Sequence, residues 1–124
     1  MNGDELASLA DRIMRHEVSV AEGISARMVT FLLRLALERE LDDFWKRSGI
    51  PAMARNPMRA QLLCLGGLLS PGKTGLARSL WGQLSQACHY HTYELSPSAA
   101  ELRRWHTELA QLTYALRSVR SEAY

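Results

Sequence analysis

Apolar residues recur along this chain at steps of three and four, the period of a helix with one face turned inward. Leu6, Leu9, Ile13 and Met14 set that period first and predict an amphipathic helix over about 4–17, with acidic residues in its opening turn to complement the helix dipole. Ser19 and Glu22 have the spacing of a capping box and predict the start of a second helix, running to about Arg47 although Gly23 weakens its first turn. Its middle, from Met28 to Leu37, is apolar on most sides, which makes it the expected central helix. Beyond it Leu37, Leu41 and Phe44 hold one stripe, while Glu38, Arg39, Asp42, Asp43 and Lys46 form a charged back that reads as a solvated face. Ser48, Gly49 and Pro51 then stop the helix.

Asn56 and Pro57 read as N-cap and first position of a short third helix carrying Met58, Leu62, Leu63, Leu65 and Leu69. Ser70, Pro71 and Gly72 break it, and Thr74 is the expected cap of a fourth. On that helix Leu80, Leu84, Cys88, His91 and Leu95 continue one face, and Arg78, Gly82, Ser85, Gln86 and His89 make the other small and polar. Ser96 and Pro97 end it and open a fifth, where Leu102, Trp105, Leu109, Leu112, Leu116 and Val119 alternate by three and four without a break. That alternation keeps one seam facing a neighbour when helices cross at about 20°. No segment alternates with period two, and leucine and alanine outnumber the β-branched residues. The expected fold is all-α: a single-domain antiparallel helical bundle of about five helices spanning residues 1–124.

Composition agrees with that picture. A chain of 124 residues with 47% hydrophobic and 23% charged residues has the make-up of one globular domain with a buried core. The apolar run from Met28 to Leu37 is broken by Thr30 and Arg34 and falls short of the roughly 20 residues that span a bilayer, so no membrane role is expected. A net charge of +2 excludes the densely positive surface of a dedicated duplex binder and leaves nucleic acid permitted. Cys64 and Cys88 both fall in apolar helical patterns and read as small hydrophobes, and the acidic, amphipathic start has no signal-peptide core. A cytoplasmic location is expected.

Gly67, Gly72, Lys73 and Thr74 satisfy the letters of a P-loop. Such a loop must follow a buried parallel strand, yet QLLCLGG reads as helix, and every aspartate (Asp4, Asp11, Asp42, Asp43) precedes the motif, leaving no Walker B carboxylate after it. The segment reads as a helix-to-helix turn, with no nucleotide cofactor. Cys64, Cys88, His89, His91 and His106 are zinc-ligand types, but His89 and His91 stand about 200° apart on a helix and no CxxC or HxxxH pair exists, so no metal site is expected. His91 lies on the apolar stripe and reads as a buried imidazole. His89 lies on the polar face, with Ser85 or Gln86 one turn before it and Tyr93 one turn after, where acid–base chemistry is available to it.

A small-residue helix ending in LSQACHYHTYEL, after a central helix carrying LLRLALERELDDFW, resembles the HEPN domains, compact helical modules of prokaryotic defence and toxin systems. The resemblance implies a homodimer in which an arginine, four to six residues and a histidine meet their counterparts to cut RNA, with His89 and His91 as the histidine candidates. The arginine window is empty here: the residues five to seven before His89 are Leu84, Gln83 and Gly82, and those before His91 are Gln86, Ser85 and Leu84. Arg78 stands eleven residues before His89, about 16 Å along a helix. The departure implies a module that binds RNA or a partner protein without strong ribonuclease activity. Arg55, Arg59, Lys73 and Arg78, close to helix starts, are the candidate phosphate contacts. The alternative is a purely structural oligomerisation module that presents Trp81 or Trp105 to another subunit.

Overall fold

A computed structural model describes residues 1–18, 24–89 and 96–119. They form five α-helices: α1 (Gly3–Met14), α2 (Ser25–Arg47), α3 (Met58–Leu65), α4 (Pro71–Cys88) and α5 (Ala99–Ser118), with a short 3-10 turn over Pro51–Arg55. No strand occurs among the described residues, so the chain is an all-α helical bundle. No described helix is long and apolar enough to cross a membrane.

Helix α2 is the centre of the bundle, packing against α1, α4, α5 and the 3-10 turn. Val29, Leu33, Ala36, Leu37, Leu41 and Phe44 point one way along it and are buried, as helical repetition requires. The regular seam of α5 buries Leu102, Trp105, Leu109, Leu112 and Leu116 against it, and α4 contributes Ala77, Leu80 and Leu84. Of the apolar residues expected on the third helix, Leu62 and Leu65 are buried while Leu63 is exposed.

The helix starts differ from expectation in instructive ways. Helix α1 opens on a capping box in which Asn2 and Glu5 satisfy each other's backbone N–H. The described part of α2 begins at Ser25, and the Ser19–Glu22 box lies outside the described residues. Pro57, not Asn56, is the N-cap of α3; Asn56 instead closes the 3-10 turn, its amide directed at the carbonyls of Ala52 and Met53. Ser70 caps α4 by accepting the Lys73 N–H, with Pro71 at the first helical position where its missing donor costs nothing. The expected cap Thr74 is instead buried, because it falls on the inward face one turn further along. Ser98 and Glu101 form the capping box of α5, two residues beyond Ser96.

Two helix ends use the same left-handed turn. Glu17 N–H bonds to Arg12 O at 2.9 Å over His16, and Ile50 N–H bonds to Trp45 O at 3.0 Å over Gly49. Both pivots have positive φ, 60° at His16 and 79° at Gly49.

Candidate functional site

The polar face of α4 carries the residues the sequence singled out. Arg78, Ser85 and His89 are seven and then four residues apart and return to one side of the helix. Arg78 and His89 are exposed, and His89 is the C-cap, its backbone N–H bonded to Gln86 O. His91 lies outside the described residues. An arginine does come to this end of α4, from α2: Arg27 lines a groove of about 360 Å³ with Ile24, Met28, Phe31, Ala87 and Cys88. Arg55 ends the 3-10 turn, Arg59 opens α3 and Lys73 sits in the first turn of α4; with Arg78 they make no ion pair among the described residues.

The two tryptophans expected at an interface are used within the chain. Trp105 is 3% exposed and its Nε1–H donates to Gln83 Oε1 at 2.9 Å, so this indole belongs to the α4–α5 junction and cannot be offered to another subunit. Trp81 is half-buried with the Arg34 guanidinium stacked 4.8 Å from its ring centre, a cation–π contact joining α2 and α4. The segment with P-loop lettering follows α3, and its Gly72, Lys73 and Thr74 are already part of α4.

The outward apolar surface belongs to α2. Ile24, Met28 and Phe31 are 47%, 40% and 58% exposed, and Leu35, half-buried, continues their line. At 100° per residue these four fall within about 60° of arc, on the side away from Leu33 and Leu37. The same side then turns charged, with Glu38, Arg39, Asp42 and Lys46. Burial raises the Asp42 carboxyl above its ordinary range, opposed by Arg39 and Lys46.

A second feature went unread in the sequence: a cleft of about 740 Å³ between α1 and α5. Arg117 of α5 donates to Asp4 of α1 at 3.0 Å and to Glu40 of α2, joining three helices through one guanidinium. Asp4 and Glu40 together raise the Arg117 pKa further. Glu40 is 2% exposed, and its Oε2 accepts no hydrogen bond among the described residues. Helix α1 approaches it so closely that a Cβ on Gly3 would stand 2.7 Å from Glu40 Oε1. Two turns along α1, Arg103 bonds Asp11 at 2.6 Å and Arg15 pairs with the same carboxylate at 3.1 Å. The Arg103 hydrogen bond, followed by the charges of Arg15 and His106, holds Asp11 below the usual aspartate range in spite of partial burial. His106 Nε2 lies 3.2 Å from Ala7 O between the two ends. The position of Glu40, three residues after Leu37 and four before Phe44, was the available signal that it faces inward.

Among the described residues no group of three or more His, Cys, Asp or Glu side chains is arranged to hold a metal ion. Comparison with protein-family models, curated proteins and solved structures found no match.

Proposed function

We propose that the chain is a HEPN-like helical module of a defence or toxin-type system that works by association, its partner a second copy of itself, and not as a strong ribonuclease. The observation that carries the association with a second copy is the outward stripe of α2. Ile24, Met28, Phe31 and Leu35 are spaced four, three and four, and that spacing reads the same in both directions. A two-fold axis needs such self-complementarity: two antiparallel copies of α2 would set Ile24 against Leu35 of the partner subunit and Met28 against Phe31 of the partner subunit. Exposed apolar surface concentrated on one helix face is unfavourable in a lone chain and stabilising once covered. The absent arginine window before His89 and the distance of Arg78 speak against cleavage chemistry on α4.

Sedimentation equilibrium tests the reading. The native chain is expected to be dimeric at micromolar concentration, and Phe31→Glu is expected to give a monomer with unchanged helical circular dichroism. A native chain that stays monomeric at high concentration removes it.

Arg78 and His89 on one exposed face of α4, with Arg27 near its end, favour a second reading in which that face binds single-stranded RNA. Salt-dependent binding of labelled RNA that weakens in Arg78→Glu and persists in Phe31→Glu supports it. Equal binding by Arg78→Glu removes it.

A further inference from the structure

The cleft between α1 and α5 has the makings of a ligand site on charge, shape and an unspent acceptor. At one end two carboxylates, Asp4 and Glu40, share the single cation of Arg117, which leaves that end one negative charge in excess. At the other end Arg15 and Arg103 share the single carboxylate of Asp11, one positive charge in excess. Ala7, Leu109 and Ala110 line the stretch between. Burying a carboxylate with only one oxygen bonded is unfavourable by the desolvation of the other, and such a group is usually completed by a donor. Glu40 is that group, it lines the cleft, and Asp4 beside it is largely exposed and open to approach.

We infer that this cleft binds a short zwitterionic peptide, its ammonium end at Asp4 and Glu40 and its carboxylate end at Arg15 and Arg103. The ammonium brings donors to the exposed Asp4 carboxylate, which it shares with Arg117, and sets its charge beside Glu40, whose Oε2 is closed to solvent. The two arginines offer the planar donor pairs that suit a carboxylate. The length follows from α1: Asp4 and Asp11 are seven residues apart, about 10 Å along the axis, and an extended chain covers that span in about three residues. The volume lies within the range of small-ligand sites. This inference does not depend on pairing through α2, because Glu40 faces inward and the Ile24–Leu35 stripe faces outward.

The test uses trialanine with free termini as the probe, with its N-acetylated and C-amidated forms as controls, titrated into the full chain by calorimetry and by amide NMR shifts around Leu109 and Ala110. The free peptide is expected to saturate at millimolar concentration or below, and each cap to weaken it about tenfold. In Glu40→Gln, which keeps the side-chain shape, the penalty for N-acetylation is expected to vanish while that for C-amidation remains. Arg103→Gln, at an exposed position, is expected to do the converse. No saturation by the free peptide, equal binding of capped and free forms, or undiminished discrimination in both variants would each overturn the assignment. Phe31→Glu is expected to leave peptide binding unchanged, so loss of pairing and loss of the ligand are read separately.

Discussion

Arg117 and Glu40 stand 77 residues apart in sequence and meet as a half-exposed cation on a buried carboxylate, the only polar contact Glu40 makes through a side chain among the described residues. Removing the cation leaves that carboxylate buried and unpaired. Arg117→Leu is therefore expected to lower the unfolding free energy in urea by about 2–3 kcal/mol, toward the low end for buried pairs because the guanidinium is partly solvated. The double change Glu40→Leu with Arg117→Leu is expected to recover most of that loss, since neither charge then remains to be desolvated. A double variant as unstable as the single one would contradict this.

His16 and Gly49 occupy the same position in the same helix-ending turn, and only one of them is a glycine. A side chain in the left-handed region costs about 1 kcal/mol, which His16 bears and Gly49 avoids. His16→Gly is expected to raise the thermal midpoint and Gly49→Ala to lower it. Calorimetry that gave both substitutions the same sign would refute the comparison.

Gln61 is the polar hub under the bundle. Its Oε1 accepts the Trp45 indole N–H at 2.8 Å, and its amide donates to Asn56 O at 2.9 Å and Ala54 O at 3.4 Å. Gln61→Leu fits the apolar surroundings and still strands the buried Trp45 donor. A loss of about 1–3 kcal/mol is expected in denaturant unfolding, with little recovered unless Trp45 is also replaced by Phe.

Acid should loosen the α1–α5 contact first. Asp11 ionises below its ordinary value of 3.8 in the fold, so folding favours its charged form. The stabilisation it brings is complete above 3.8 and drains away as pH falls through the lowered folded value. The stability gap between the native chain and Asp11→Asn is expected to be constant near neutral pH and to close as pH falls below about 4. Urea titrations at a series of pH values measure it, and a gap that stays open at the acid end would count against the Arg103 contact.

The regular seam of α5 was legible because every third or fourth residue from Leu102 to Leu116 is large and apolar, and all five are buried. The helical class and the centrality of α2 followed from the same rule. Caps were readable only to within a few residues, since Ser70 and Thr74 are chemically equivalent and differ only in which one faces the core. Trp105 fitted the stripe and an interface alike, and the partner that decided it, Gln83, has no periodic signature. Glu40 and Gln61 were lost for a related reason: a polar letter inside an apolar stripe reads as a solvated interruption until the group that pairs with it is located. His89 is exposed as expected, but α4 ends at Cys88 and His89 is its C-cap, not a residue within a helix continuing to Leu95, while the cleft between α1 and α5 depends on Asp4 and Arg117 meeting across 113 residues.

The three indoles occupy three different seams. Trp45 touches Gln61 where α2 meets α3, Trp81 lies under Arg34 where α2 meets α4, and Trp105 is bonded to Gln83 where α4 meets α5. Intrinsic fluorescence can therefore be parcelled out by single-tryptophan variants into three local optical gauges. A disturbance that parts one pair of helices and spares the others would declare its own location by which emission band moves.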